Sequence, residues 1–388
     1  MKLLFVNGHL KIGGVEKSLV DLLKSIDYTK HQVDLLLFEG YGDYLSQVPA
    51  EVNIILCDMN STYGSVIKCI CQAIRKGDYK SVFMKIVLTL SSKISVKWTT
   101  LFKLLKITPN KYDCAIAYRM GMSIDYVAHV VDAKRKFAWW HHGEFDYDNQ
   151  TIKRWCDNLN KIDKLVCVSE ATKKMVTPYF QNVINDIEVV SNMVFVDEVR
   201  RKGAEYNPYN NDMRDTILVS VGRMSPEKRM INTVLAMDSL KQKGYTNLKW
   251  YLVGDGEERE KIEREIQDRT LQDKIVCVGK QSNPYPYIKN ADIFVHPSFV
   301  ESQGITVLEA FALEIPCVIT RTIGTEEFVI NGKNALLAEQ SVDDLVNKII
   351  YMLEGKREEL FDRQIQKETI EAFSSERIIK KVMTILEE

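Results

Sequence analysis

The chain has 388 residues, of which 45% are hydrophobic and 27% charged, with a formal net charge of -1. That length exceeds what one hydrophobic core ordinarily organises, so two domains of similar size are expected. The ordinary composition, with no low-complexity tract, excludes large-scale disorder, and the near-zero charge gives no reason to expect a nucleic-acid partner.

The opening MKLLFVNGHL holds only Leu3 to Val6 as an apolar run, too short for a signal peptide, and is expected to be a first buried strand. No apolar stretch approaches the roughly 20 residues that span a bilayer, so membrane contact is expected to be peripheral. The eight cysteines are scattered with no CxxC pair, a spacing that favours reduced core thiols in the cytoplasm over a disulfide frame or a zinc site. Charge is unevenly spread: residues 1–196 carry 25 Lys and Arg against 20 Asp and Glu, and the remainder 27 against 33. The first half is therefore suited to an anionic partner.

Short apolar runs alternate with amphipathic stretches, the pattern of βαβ units in parallel sheets. Strands are predicted at Lys2–Val6, Gln32–Phe38, Asn53–Leu56, Cys114–Tyr118, Lys136–Trp140, Lys164–Val168 and Ile187–Val190, then at Thr216–Val221, Lys249–Val253, Ile275–Val278, Ile293–His296 and Cys317–Thr320. The class is α/β, with two doubly wound domains in series. Residues 1–197 form the first and 214–369 the second, joined by a polar, aperiodic linker over 198–213. One long C-terminal helix is predicted from Lys367 to Glu388, apolar along Ile378, Ile379, Val382, Ile385 and Leu386. Whether its end, about 370–388, returns to the first domain is not written in the sequence.

Along the first half, the strand ending at Val6 runs into a turn with Gly13-Gly14 and Glu16, where glycines permit close backbone approach to a ligand. The spacing is not that of a GxGxxG dinucleotide fingerprint. From Lys68 to Lys111 ten basic residues and one acid, Asp78, interleave with Trp98, Phe102 and many aliphatics. Basic amphipathic segments of this kind lie on anionic membrane surfaces, although lysines on an outer helix face would look the same. FAWW leads into His141-His142-Gly143-Glu144 at a predicted strand end. Asp146-Tyr147-Asp148 is a DxD triplet of the kind that binds metal elsewhere, but it arises easily by chance and is set aside. Ser169 before Glu170 reads as a helix cap.

In the second half, ILVSVGRMSPEKR carries Arg223 and Lys228 out of one strand-to-helix turn, where two cations can converge on an anion. HPSFVESQGITVLEAFALEIPCV then brings Glu301, Gly304 and Glu309 to the carboxyl end of a strand and the start of a helix, where phosphates and ribose diols bind. Two glutamates alone would be ordinary acids. Together with the upstream cations they describe a nucleotide diphosphate site that needs no metal.

Gly222-Arg223 with Lys228, Glu301-x7-Glu309, the Gly304 loop, Ile315-Pro316-Cys317-Val318, and Gly324 to Glu327 ahead of Asn331-Gly332 resemble the retaining GT-B glycosyltransferases of family four, the group 1 glycosyltransferases. The resemblance implies two Rossmann-like domains facing a central cleft, and retaining transfer of a sugar from a nucleotide diphosphate donor, UDP-linked, to a glycan or lipid-linked acceptor in surface polysaccharide synthesis. It implies that Arg223 and Lys228 hold the pyrophosphate, Glu301 faces the donor sugar and Glu309 binds ribose. The backbone of Gln303, Gly304 and Ile305 would contact sugar and phosphate, with Gly279 and Lys280 flanking the base. Gly13, Gly14 and Glu16 match the glycine loop on the acceptor side. The family's W-x-H falls on His141 if anchored at Trp139 and on His142 if anchored at Trp140; His141 is preferred as the catalytic histidine. No cofactor is implied. The expected location is cytoplasmic, with residues 68–111 on the inner face of the membrane. Gln303 stands where an aromatic residue is common, Glu314 where Gly is usual, and Met193 where Gly normally follows the Asn. A nucleotide-sugar epimerase and a non-catalytic glycan-binding or nucleotide-binding protein are the rival expectations.

Overall fold

A computed structural model describes residues 1–57, 111–209, 215–355 and 362–388. The chain forms two compact units, one of Met1–His141, Phe145–Val190 and Lys381–Glu388, the other of His142–Glu144 and Ser191–Lys380.

In the first unit, β1 (Lys2–Asn7), β2 (Gln32–Leu37), β3 (Asn53–Leu56), β4 (Tyr112–Ala117), β5 (Ala133–Trp140), β6 (Lys164–Cys167) and β7 (Ile187–Val189) form a parallel sheet in the order β3-β2-β1-β4-β5-β6-β7. Leu3 to Val6 and Leu35 to Leu37 are wholly buried, as strands covered on both faces must be. Among the described residues of this unit the helices are α1 (Gly14–Lys24), α2 (Met122–His129), α3 (Asn149–Leu159) and α4 (Glu170–Phe180). Ser169 caps α4 in a reciprocal capping box with Thr172, the role its sequence context predicts. Trp140 is buried among the rings of Phe145, Tyr147, Trp155 and Phe180. These rings fix the end of β5, and with it the start of the His141-His142 loop.

The second unit repeats the plan. Its strands β8 (Thr216–Val221), β9 (Leu248–Val253), β10 (Ile275–Gly279), β11 (Ile293–His296), β12 (Cys317–Thr320) and β13 (Leu336–Ala338) run parallel in the order β10-β9-β8-β11-β12-β13. Its helices are α5 (Val196–Gly203), α6 (Ile231–Gln242), α7 (Arg259–Asp268), α8 (Tyr285–Lys289), α9 (Ile305–Ala312), α10 (Val342–Leu353) and α11 (Arg363–Glu371), and α12 (Ser375–Glu387) crosses from this unit into the first. In each sheet the strand order reverses beside the first strand, at β1/β4 and at β8/β11. Loops leaving the carboxyl ends there diverge and open a crevice.

Two expectations are corrected. Residues 198–213 are not a plain linker: the chain changes unit at Val190/Ser191, and Val196–Gly203 is helical. Its polar composition hides a helix in which Lys202 pairs with Glu198 at 2.6 Å, Val199 is buried and the Arg200 guanidinium donates to Ala312 O. The C-terminal stretch is two helices rather than one. Between them Phe373 packs against Phe328 and its carbonyl accepts from Val194 N, which breaks the helical path. The last residues, Lys381–Glu388, count with the first unit: the Cys114 thiol donates to Leu386 O, and the Lys164 ammonium to the Glu388 carboxylate. Residues 68–110 of the basic segment lie outside the described residues. Among the described residues no helix is long and apolar enough to cross a membrane.

Three strand ends of the second unit are stacked backbone against backbone. Gly254 has φ +147, and a Cβ there would lie 1.8 Å from Gly222 O; one on Gly256 would lie 2.3 Å from Met224 O. Gly254 N in turn donates to Gly279 O at 3.0 Å. Gly244, at φ +91, has no atom within 4 Å of its would-be Cβ. Gly244→Ala is therefore expected to cost about 1 kcal/mol, the backbone penalty alone. Gly254→Ala, which adds a backbone collision, is expected to cost about 3 kcal/mol or more. Urea unfolding of both variants measures the difference, and equal losses would show that the close crossing does not hold the loops.

Candidate functional site

Strand β8 ends at Val221 and releases Gly222-Arg223-Met224-Ser225 into a short 3-10 turn, Pro226–Lys228, before α6. Met224 is pinned by two backbone bonds, its N to Asp255 O and its O to Glu258 N, at 3.0 and 2.9 Å. Arg229 adopts φ 45, and its guanidinium lies 3.9 Å from the centroid of the exposed Phe299 ring. Beside β8, β11 ends at His296 and continues through Pro297 and Ser298. Phe299 N donates to Glu227 O at 2.8 Å, tying the two switch-point loops together.

Across that junction the Lys228 ammonium lies 2.6 Å from Glu301 Oε1, and His296 Nε2 lies 2.7 Å from the same oxygen. Glu301 and His296 are buried, whereas a quarter of the Lys228 side chain is exposed. Burial is the largest influence on the Glu301 carboxyl and acts to raise its pKa. The Lys228 charge and then the His296 contact together outweigh it, and hold the carboxyl well below the ordinary glutamate range.

The backbone that carries Glu301 is clasped between two glycines. A Cβ on Gly143 would lie 2.6 Å from Glu301 C, and one on Gly324 2.4 Å from Ser302 C. Gly304 takes the left-handed conformation, φ +84, as the N-cap of α9. The first amides of α9, beginning at Ile305, have no intrahelical carbonyl and form its positive end. Gln303 faces elsewhere: its Oε1 accepts from Asn192 N and Nδ2 at 2.7 and 2.9 Å, and its Nε2 donates to Asn192 O. The side chain thus anchors the incoming chain beside Met193, leaving only the backbone of Gln303 for a ligand. Further along α9, Glu309 is buried and accepts from the Tyr285 hydroxyl at 2.9 Å. Gly279, φ +81, ends β10 and leads to exposed Lys280; Arg223 is exposed as well. Glu314, where Gly is usual in the resembling family, bears φ 60 and pairs with Arg200 and Lys367.

All the donor-side candidates therefore lie at the carboxyl ends of β8, β10 and β11 or in α9 and its cap. Of these, Lys228 and Glu301 are in direct contact. Sequence reasoning did not single out His296, read only as a strand end, or Tyr285, or the Gly254-Asp255-Gly256 turn. The last had a legible signal, two glycines around an acid straight after a buried strand.

At the β1/β4 switch of the first unit, Gly13 caps α1 in extended conformation and Gly14 begins it. Glu16 is buried in the first turn, 3.2 Å from the Arg119 guanidinium and 3.5 Å from His9 Nδ1. Burial, followed by Arg119 and Lys11, lowers the His9 pKa against the opposing pull of Glu16. The Tyr118 hydroxyl is 2.6 Å from Ser18 Oγ, and the Tyr118 ring lies 4.8 Å from the His141 ring. The adjacent histidines divide: His141 belongs to this unit, His142 to the second with Gly143. Asp148 of the DxD triplet caps α3 by accepting from Thr151 N, a structural role. Among the described residues no group of three or more His, Cys, Asp or Glu is placed to hold a metal ion.

Residues 203–370 match the family model of glycosyl transferases group 1. Among curated relatives, the chain is 25% identical over 252 residues to a poly(ribitol-phosphate) alpha-N-acetylglucosaminyltransferase of Staphylococcus aureus, covering 63% of this chain and 48% of that protein. It is 28% identical over 208 residues to an N-acetyl-alpha-D-glucosaminyl L-malate synthase of Bacillus anthracis, covering 52% and 53%. The chain thus spans about half the length of the curated relatives it matches. Among solved structures, HepE of Anabaena, in complex with UDP and glucose, superposes with a TM-score of 0.71 at 16% identity, covering 100% of this chain and 99% of that one. A sucrose-phosphate synthase of Thermosynechococcus elongatus gives 0.73 at 16% identity, covering 99% and 98%. At such identities the likeness establishes the fold, GT-B.

The depressed Glu301 pKa has a stability consequence. The unfolded carboxyl titrates near about 4.3, so the stabilisation from its ionised form is complete above that value and is lost as the pH falls below it towards the folded pKa. Between about pH 6 and about pH 3.5 the native chain is expected to lose stability to urea more steeply than Glu301→Gln. Parallel slopes would show that Lys228 and His296 do not hold the carboxylate ionised.

Proposed function

Because residues 203–370 match the family model of glycosyl transferases group 1, we propose that the chain transfers a sugar from a nucleoside diphosphate donor, UDP-linked and with retention at the anomeric carbon, to a hydroxyl of a glycan or lipid-linked acceptor. The observation that carries this is the meeting of Lys228 and Glu301 across the β8/β11 switch point, beside the amino end of α9. Lys228 and Arg223 stabilise the charge that builds on the departing diphosphate, aided by the α9 amides at Gly304 and Ile305. Fixed cations supply that charge without a metal. Glu301 accepts from donor-sugar hydroxyls, and Glu309 accepts from the ribose diol. Gly279 and Lys280 border the base. Gly13, Gly14, Glu16 and the His141-His142 pair serve the acceptor side, and the leaving diphosphate oxygen takes the acceptor proton. The relatives' printed names, a poly(ribitol-phosphate) alpha-N-acetylglucosaminyltransferase and an N-acetyl-alpha-D-glucosaminyl L-malate synthase, support a glycosyl-transfer reading.

The basic segment 68–111 is the reason to propose peripheral docking on an anionic membrane from the cytoplasm, with surface polysaccharide synthesis as the setting. Flotation with anionic vesicles tests it: charge reversal at Lys93, Lys97, Lys103 and Lys106 should abolish binding, and no binding by the native chain refutes the docking.

For the donor site, Lys228→Ala and Arg223→Ala are each expected to weaken UDP about tenfold or more, the worth of one charged hydrogen bond, while leaving uridine within about threefold. Glu309→Ala should weaken both. Glu301→Ala should slow turnover more than it weakens UDP, and the rate should survive EDTA. Calorimetry with UDP and uridine, with rates over a nucleotide-sugar panel, decides; unchanged UDP affinity in both cation variants would refute the site.

A further inference from the structure

Two donors converge on one oxygen of Glu301. Lys228 Nζ and His296 Nε2 both reach Oε1, at 2.6 and 2.7 Å, and no hydrogen bond of the described residues engages Oε2. The two donors differ in kind. Lys228 stands at the end of a short turn, a quarter exposed, and its ammonium carries three protons that an anionic ligand can share. His296 is the last residue of β11, paired in register with Ile319 of β12, and its ring is buried and nearly parallel to that of Phe294, 6.1 Å away.

The imidazole has one use for its proton. Nε2–H donates to the carboxylate, and Nδ1 is buried with no hydrogen-bond partner, so the protonated nitrogen is the one facing Glu301. A second N–H at Nδ1 would be stranded without an acceptor. The strand end thus holds one imidazole donor aimed at the carboxylate, which cannot follow a ligand out of the site.

We propose that His296 is the positioning residue of Glu301: its Nε2–H fixes Oε1 and so presents Oε2 to the donor sugar when a diphosphate draws on Lys228. The inference deepens the proposed donor site and rests on Glu301 facing the sugar. His296 touches no substrate in this account. Losing it should loosen the carboxylate that matters during transfer and leave nucleotide binding intact.

His296→Phe keeps the ring and its packing on Phe294 but removes the donor; His296→Gln restores an N–H at similar reach. The readouts are kcat and donor KM for transfer or donor hydrolysis, UDP affinity by calorimetry, and the imidazole 15N spectrum at about pH 8, where a free histidine is neutral. Expected are a kcat about 10- to 100-fold lower in His296→Phe, the worth of one hydrogen bond to a charge, with KM and UDP affinity within about threefold. His296→Gln should recover most of the loss. In a Glu301→Gln background His296→Phe should cost less than about threefold more, because the two residues act as one unit. The spectrum should show the Nε2-protonated tautomer in the native chain and a changed signal in Glu301→Gln.

An unchanged kcat in His296→Phe, a proportional loss of UDP affinity, or full additivity with Glu301→Gln would overturn the proposal. Should His296→Phe fail to fold, His296→Asn, whose amide is too short to reach, replaces it, and Asn performing as well as Gln would overturn the proposal equally. If the native chain binds UDP yet turns over no nucleotide sugar, the transferase reading falls; the tautomer then decides the His296 contact by itself, and an Nδ1-protonated ring refutes it.

Discussion

A carboxylate buried beyond the carboxyl ends of a sheet's strands must either take up a proton or be surrounded by donors, because the desolvation of an ion in a low-dielectric interior exceeds what one contact returns. At Glu301 two strands and two loops are arranged around that requirement. The cation comes from the loop after β8 and the imidazole from the last residue of β11, so the pairing exists only if those strands are neighbours in parallel register. The strand order β10-β9-β8-β11-β12-β13 supplies that adjacency. Electrostatics and topology are here one constraint.

The loops could not be held there by side chains alone, since loop backbones are polar and the space is small. Glycine crossings solve the problem locally. Gly254 and Gly256 let the β9 loop lie on the carbonyls of Gly222 and Met224, and Gly143 and Gly324 flank the backbone of Glu301 and Ser302. Where Cβ atoms are absent, main chains approach closely and stiffen one another. The site is therefore carried on backbone contacts, with Gln303 spent on anchoring Asn192 rather than on a ligand.

Much of this was legible in the sequence where one physical rule dominates. Strands covered on both faces read as unbroken apolar runs, and all twelve predicted strands, including the largely exposed edge strand β3, are present within a few residues of their expected bounds. The three-residue β13 was not foreseen, being too short to stand out from loop. Arg223, Lys228, Glu301 and Glu309 stood out only jointly, two cations at one strand-to-helix turn and two glutamates around the next, and the structure brings Lys228 and Glu301 of that set into contact. Composition failed where pattern and polarity conflict: EVRRKG looks like linker, yet its i,i+4 ion pair and buried Val199 make a helix. The break at Phe373 depends on a partner nearly two hundred positions away in the chain, Val194, which no local signal reports. His296 was hidden for the same reason, since a histidine closing a strand shows its partner only once the neighbouring loop is in place.

The two units place similar chemistry at their switch points with different exposure. Glu16 at β1/β4 is matched with Arg119 and His9, as Glu301 at β8/β11 is matched with Lys228 and His296. In the first unit the arginine is 40% and the histidine 22% exposed, and the contacts are longer, 3.2 and 3.5 Å. Solvent reaches the arginine and the histidine of that cluster, so their side chains have more room to rearrange than the imidazole at Glu301. In the second unit the imidazole is sealed and the contacts are short, which fixes the carboxylate before any ligand arrives. Preorganisation of this kind suits a group that must meet developing charge in one orientation, whereas a looser cluster suits a surface that accommodates hydroxyl-bearing chains of variable shape. Under the proposed function the same residue types would serve opposite ends of that trade-off, and the exposure of the imidazole, 22% against 2%, is a structural difference between the two clusters.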